Sequence, residues 1–201
     1  SAVLDKQLSN FALENSIAGL EFLSCIPGSI GGAIRMNSGC YDYDISKCIT
    51  SIQAIDHNGI VRTIKSEKIN FFYRGSDLSD DLIFLSGTFK GEKQDSRKIK
   101  EKMEKLLAIK KKSQPFRVKT CGSTFKNPKN KKAWKLIKDS GCVGMKVGGA
   151  QISEKHCNFF VNNGNAKSKD LEKLIYQVRK KVLDKTGANL ELELQIIGEN
   201  L

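Results

Sequence analysis

The chain has 201 residues, enough for one domain or two small ones and for a sizeable buried core. Its 39% hydrophobic and 28% charged residues are ordinary globular proportions, which excludes wholesale disorder, and no apolar run is long enough for a membrane span. The net charge of +12 is largely lysine, concentrated between Lys90 and Lys138; it points to anionic partners such as phosphates rather than to base reading, which favours arginine.

The start, Ser1-Ala2-Val3-Leu4-Asp5, has neither an initiator Met nor a signal-peptide pattern, so the chain reads as processed, cut or incomplete there. Residues 17–41, "IAGLEFLSCIPGSIGGAIRMNSGCY", mix apolar residues with glycines and show neither helical nor strand period, so buried loops are expected. Between Ile49 and Lys65 two alternating runs flank His57-Asn58-Gly59, a hairpin signal, and the first run is apolar on both faces, as in a central strand. Leu82–Phe89 reads as another strand. Residues 94–112 read as a helix with Ile99, Met103, Leu106 and Leu107 inward and lysines outward, ended by Ser113-Gln114-Pro115, the expected domain boundary. A short helix follows in "NKKAWKLIKDSG", with Trp134 and Ile137 on one side and Gly141 as its stop. Ser168 is the expected N-cap of a helix striped by Leu171, Leu174, Ile175, Val178 and Val182 and stopped by Gly187. Leu190–Ile197 alternates like a strand, with Leu190, Leu192, Leu194 and Ile196 on one face and Glu191, Glu193 and Gln195 on the other.

The six cysteines include no Cys-x-x-Cys pair, which disfavours a zinc ribbon, and with no export signal they read as free thiols; no metal is expected. Three places can carry chemistry. "IPGSIGGA", Ile26 to Ala33, exposes backbone N–H groups and suits either a pyrophosphate, the polar rim of a planar cofactor, or a purely structural loop. "NFFYRGSDL", Asn70 to Leu78, offers Arg74 after an aromatic cluster, a surface ion-pair partner or a planar fork for a carboxylate or phosphate. "CGSTFKNP", Cys121 to Pro128, is a turn holding Ser123, Lys126 and Asn127, while Glu193 stands on the polar face of the last strand.

Ordered and spaced along nearly the whole chain, "AGLEFLSCIPGSIGGAIRMNSGCY", "FFYRGS", "QPFRVKTCGSTFKNP", "GMKVGGAQISEKHCNFFVN" and "LELELQIIG" resemble the UDP-N-acetylenolpyruvoylglucosamine reductase family. These flavoenzymes reduce the enolpyruvyl ether of a UDP-sugar in peptidoglycan precursor synthesis. The resemblance implies an α/β (α+β) fold: residues 1–113 as the second lobe of an FAD-binding domain with a mixed sheet, and residues 114–201 as a small α+β substrate-binding domain. It implies Arg74, Ser123 (proton donor) and Glu193 as catalytic residues. It assigns Ile26, Pro27, Gly28, Ser29, Ile30, Gly31, Gly32, Asn37 and Gly39 to the cofactor, and Tyr73, Lys126, Asn127 and His156 to the substrate. FAD and NADPH are the implied cofactors, and UDP-N-acetylglucosamine enolpyruvate the implied partner, for a cytoplasmic monomer that binds neither nucleic acid nor membrane. The family's further Gly-rich flavin-binding segment would lie ahead of Ser1, and the short interval between Arg74 and Ser123 matches the subgroup without a tyrosine-bearing insertion. Two alternatives stand beside this reading: an FAD-dependent oxidase or dehydrogenase of the same cofactor fold, and a basic nucleic-acid-binding module. The second would need aromatics interleaved with Lys and Arg on one face, whereas Phe71, Phe72, Phe159 and Phe160 lie in apolar runs.

Overall fold

A computed structural model describes residues 2–198 and divides the chain into two units, Ser1–Lys110 and Lys111–Leu201. The first unit opens with α1 (Asp5–Glu14) and β1 (Ile17–Ala18), a 3₁₀ turn at Glu21–Cys25, and α2 (Ile30–Arg35). Short pairs follow, β2 (Gly39–Cys40) with β3 (Tyr43–Asp44), before the main ladder of β4 (Ile49–Ile55) and β5 (Val61–Lys65). The hairpin β6 (Phe71–Phe72) and β7 (Gly75–Ser76) precedes β8 (Ile83–Phe89), which pairs with β4 and leaves β4 in the middle of three strands, as its two apolar faces require. Then β9 (Glu92–Lys93) pairs with β1, and α3 (Ser96–Ser113) carries the chain into the second unit.

The β4–β5 connection follows directly from its sequence. The Asp56 carboxylate accepts the N–H groups of Asn58 and Ile60, the Gly59 N–H bonds the Asp56 carbonyl, and Gly59 takes φ +78, a conformation that favours glycine. The core beneath this ladder joins Ile49, Ile52 and Ala54 to Ile30, Ala33 and Ile34 of α2 and to Phe22, Leu23 and Phe84. A smaller cluster of Ala18, Ile99 and Met103 seats α3.

The second unit is a four-stranded sheet in the order β10 (Lys119–Ser123), β13 (Phe159–Asn162), β12 (Ala150–Ile152), β11 (Lys146–Val147), with α4 (Ala133–Asp139) and α5 (Ser168–Thr186). Leu174, Ile175, Val178 and Val182 of α5 bury their stripe against Phe125, Ile137, Ile152, Phe160 and Leu190. Gly187, at φ +67, ends α5 in the left-handed conformation.

The helix-and-sheet architecture agrees with the expected class, and every ladder among the described residues is antiparallel, so no parallel pairing contributes to the expected mixed sheet. Four local expectations are corrected. Residues 17–41 are not all loop: Ile30, Ala33 and Ile34 bury one face of a helix whose period was hidden by two glycines of low helix propensity. The N-cap of α5 is Lys167, with Ser168 already helical, and the acceptor comes from within: the Asp170 carboxylate takes the Lys167 N–H at 3.0 Å. In α4 the buried residues are Ala133 and Ile137, four apart, while Trp134 is 40% exposed. Leu190–Ile197 is not a regular strand. It makes one bridge, Leu192 opposite Phe125, and Ile196 is exposed, because in that antiparallel register its continuation would face Ser123 and Cys121, where β10 is bulged at Gly122.

Among the described residues no helix is long and apolar enough to cross a membrane, and no cluster of His, Cys, Asp and Glu could hold a metal ion. All six cysteines are free thiols.

Asp5 is fully buried, with neither carboxylate oxygen hydrogen-bonded, and burial raises its pKa to about 6. The native state therefore keeps a proton that the unfolded chain releases at its ordinary value of 3.8. Stability is full below that value, falls as pH rises through the window from about 4 to 6, and levels off above it. We expect urea unfolding followed by circular dichroism to show this fall, on the order of 3 kcal/mol at 1.36 kcal/mol per pH unit. Asp5→Asn should flatten the slope and be the more stable chain at pH 7.5.

Candidate active site

In the first unit the candidate residues form two groups. The loop from Ile26 to Ser29 leads into α2, whose N-cap Ser29 accepts the Gly32 N–H on its hydroxyl at 3.4 Å. An antiparallel bridge to Leu4 holds the loop, with Asp5 N–H on the Gly28 carbonyl at 3.0 Å and Ile30 N–H on the Val3 carbonyl at 2.8 Å. Those contacts leave the N–H groups of Gly28, Ser29 and Gly31 unpaired among the described residues. Pro27, Gly28 and Gly32 are exposed, and a Cβ on Gly28 would stand 3.1 Å from the Asp5 carboxylate. The geometry is that of a surface rich in open N–H donors with a buried carboxyl beneath it.

The second group surrounds Arg74. The β6–β7 hairpin turns through Tyr73 and Arg74, and Arg74 takes φ +60, a costly conformation for a side chain of its kind. A Cβ on Gly75 would lie 2.4 Å from the exposed Phe72 ring, so any larger residue here requires that ring to move. Asn37, 4% exposed, donates from Nδ2 to the Phe72 carbonyl at 3.0 Å and accepts the Ser46 N–H at 3.0 Å. Arg74 Nη2 donates to the Gly39 carbonyl at 3.2 Å, and its guanidinium lies 4.8 Å from the centre of the Tyr73 ring. Gly39 cannot carry a side chain: its Cβ would meet the Tyr43 carbonyl oxygen at 2.3 Å. Asn37, Gly39, Tyr73 and Arg74 are thus brought together, and the first two serve at least as the seat of the arginine turn.

In the second unit Ser123 ends β10. The ladder to β13 slips by one residue between the Thr120–Val161 and Ser123–Phe159 pairs, a bulge placed at Cys121-Gly122, where Gly122 takes φ +84. The Ser123 hydroxyl makes no hydrogen bond to another described residue. Beyond it, Lys126 N–H bonds the Glu191 carbonyl at 2.8 Å and Glu193 N–H bonds the Thr124 carbonyl at 2.9 Å. Ser123, Lys126 and Glu193 therefore stand on two segments zipped by their backbones. Lys126 Nζ lies 2.5 Å from the exposed Glu191 carboxylate, and Asn127 Oδ1 accepts the Ala133 N–H at 3.0 Å, at the entry of α4.

His156 is partly buried, which lowers its pKa, so the ring is neutral at pH 7. Its Nδ1 faces the Asn158 N–H at 3.3 Å, which makes Nδ1 the acceptor and puts the proton on Nε2. Its ring packs edge-on to Phe159 at 4.8 Å. Asn158 is the residue sequence reasoning passed over. It is 4% exposed and bonds the backbone of Phe125 twice, yet one Asn in "KHCNFF" carries no signal of that without the register of β10 against β13.

A separate cavity of about 250 Å³ beside β10 is lined mainly by apolar side chains including Phe160, Leu171, Ile175 and Leu194; Ser123, Lys126 and Glu193 do not line it.

Residues 114–197 match the family described as UDP-N-acetylenolpyruvoylglucosamine reductase, C-terminal domain, and residues 1–65 match an FAD binding domain family. The UDP-N-acetylenolpyruvoylglucosamine reductase of Pelagibacter ubique is 52% identical over 200 residues, covering 98% of this chain and 66% of its own length. That of Wolbachia sp. subsp. Drosophila simulans is 45% identical over 198 residues, with 98% of this chain and 67% of its own length covered. The crystal structure of the UDP-N-acetylenolpyruvylglucosamine reductase of Thermus caldophilus superposes with a TM-score of 0.86 at 32% identity, over 96% of this chain and 69% of that one. The chain thus spans about two thirds of the length of the relatives it matches. Matches to both domain families, and similarity to these reductases across nearly its whole length, place the chain in the UDP-N-acetylenolpyruvoylglucosamine reductase family.

Proposed function

We propose that the full-length protein containing this chain reduces UDP-N-acetylglucosamine enolpyruvate to UDP-N-acetylmuramate with NADPH and FAD, in peptidoglycan precursor synthesis. The observation that carries the reading is the pairing of the Ser123–Lys126 turn with the segment of Glu193, which sets a hydroxyl, an ammonium and a carboxyl on adjoining backbone. FAD, when bound, takes two electrons from NADPH and supplies a hydride to the vinyl carbon distal to the ether oxygen.

The residues present fit that group. The open N–H groups of Gly28, Ser29 and Gly31 would meet the acceptors of a flavin edge. The Asp5 carboxyl buried under Gly28 disfavours a phosphate at that spot, so the loop, from Ile26 through Gly32, serves the neutral rim. Hydride addition leaves charge on the carbon next to the substrate carboxylate. Arg74 holds that carboxylate and spreads the charge, with Glu193 as the third catalytic group; stabilisation by a donor such as Arg74 is worth about 3–4 kcal/mol. Serine is a weak acid, and it suffices here because the carbon it protonates is strongly basic.

Lys126 binds the diphosphate. Its present partner is the exposed Glu191, and an exposed pair of this kind is worth only about 0–1 kcal/mol, so a phosphate readily displaces it. Tyr73, Asn127 and the Nε2–H of His156 complete the substrate contacts. The protein works as a cytoplasmic monomer. The test is to express the complete coding sequence that contains this chain. Yellow protein with bound FAD, bleached by NADPH and recoloured by the enolpyruvyl substrate, is the expected result. Flavin that is bleached but recoloured only by a different acceptor would favour an oxidase or dehydrogenase of the same cofactor fold.

A further inference from the structure

We infer that Asn158 is a positioning residue for Ser123, holding the turn from Ser123 to Lys126 by replacing a missing strand edge. The inference rests on the proton-donor reading of Ser123. The β13 strand begins at Phe159, opposite Ser123, so the ladder that supports β10 ends at the serine. Asn158 extends it. Its backbone carbonyl accepts the Thr124 N–H at 2.8 Å, its Oδ1 accepts the Phe125 N–H at 3.0 Å, and its Nδ2 donates to the Phe125 carbonyl at 2.7 Å. One residue thus satisfies three backbone groups over two positions.

Thr124, Phe125 and Asn158 are all buried, at 1%, 0% and 4% exposure, so water cannot take over these bonds. The other edge of the turn is fixed by Glu191 and Glu193. With both edges tied, the backbone on either side of the serine has one conformation, and the hydroxyl is presented from a fixed Cα. The chemistry of the side chain is specific. An aspartate could accept from Phe125 N–H but would turn a carboxylate oxygen on the Phe125 carbonyl, and alanine would leave both Phe125 groups unpaired. The Asn158 N–H, in turn, bonds His156 Nδ1, so the same residue also sets the ring that offers Nε2–H.

The experiment uses the full-length flavoprotein and compares Asn158→Ala, Asn158→Asp, Ser123→Ala and Asn158→Asp combined with Ser123→Ala. Asp keeps the volume of Asn, and the bound-flavin spectrum checks that each variant folds. Expected are flavin reduction by NADPH within twofold of the parent and reoxidation by the enolpyruvyl substrate at least tenfold slower in both Asn158 variants. In the double variant no slowing beyond twofold of Ser123→Ala alone is expected. Independently of turnover, hydrogen exchange of the resting flavoprotein should show the Phe125 amide exchanging at least tenfold faster in Asn158→Ala, which removes its acceptor. The inference is overturned if the slowing multiplies in the double variant, if both half-reactions slow equally, if exchange at Phe125 is unchanged, or if neither variant retains flavin. If Ser123→Ala itself leaves reoxidation untouched, the proton-donor reading fails and takes this inference with it. A null result confined to the Asn158 variants leaves that reading standing.

Discussion

Replacing Ser123 with alanine in the full-length enzyme is expected to leave flavin reduction by NADPH within about twofold of the parent and to slow flavin reoxidation by the enolpyruvyl substrate about 10²–10⁴-fold, the range for losing a positioned general acid. The two half-reactions divide because their proton demands differ. The first moves hydride between nicotinamide and flavin and asks nothing of a hydroxyl. The second creates a carbanion-like centre that must be protonated. Ser123 suits that step physically: its hydroxyl has no partner among the described residues, and its backbone is fixed by the bulge at Gly122 and by the pairing with Phe159. Stopped-flow absorbance of the flavin measures both steps in one preparation. Equal slowing of the two would remove the proton-donor role.

Phe125→Ala is expected to destabilise the second unit by about 3–5 kcal/mol, the usual cost of emptying a buried aromatic site. Phe125 is fully buried, two residues beyond Ser123, and packs edge-on to Phe160 with ring centres 5.9 Å apart. Its side chain anchors the turn from below, while Asn158 and the Leu192 bridge hold its backbone. Because whole domains are stable by only about 5–15 kcal/mol, this loss removes about a fifth or more of what holds the unit together. Trp134, the single tryptophan, lies in α4 of the same unit, so its fluorescence in urea reports this unit rather than the first. A midpoint shift smaller than that corresponding to 1 kcal/mol would show that the cluster around Phe125 collapses to fill the space.

The first unit holds the proposed flavin loop and, at Tyr73 and Arg74, two of the proposed substrate contacts, and the second unit holds the remaining substrate contacts; the two family matches fall at residues 1–65 and 114–197. Within that scheme the strained turn at Arg74 is held by contacts rather than by local preference. A non-glycine residue at φ +60 persists because Asn37 fixes Phe72 and the Gly39 carbonyl receives the guanidinium. Sequence motifs identified Asn37, Gly39 and Arg74 separately; their mutual contacts appear only when two distant hairpins are folded against each other.

By itself the sequence determined whatever depends on near neighbours. The Asn-Gly hairpin, the central strand with two apolar faces, the stripe of α5 and its glycine stop follow from side-chain period and local turn chemistry, which act over a few residues. The spaced motifs likewise determined the family. Tertiary structure decided the rest. It left Trp134 exposed while Ile137 was buried, and reduced the alternating tail to a single bridge at Leu192. It also made Asn158 a substitute strand edge beside Ser123. The face of α4 is set by packing against the α5 stripe, and the other two outcomes by which backbone groups remain unpaired after the sheet has formed, where burial makes satisfying them obligatory; a residue's near neighbours record neither demand.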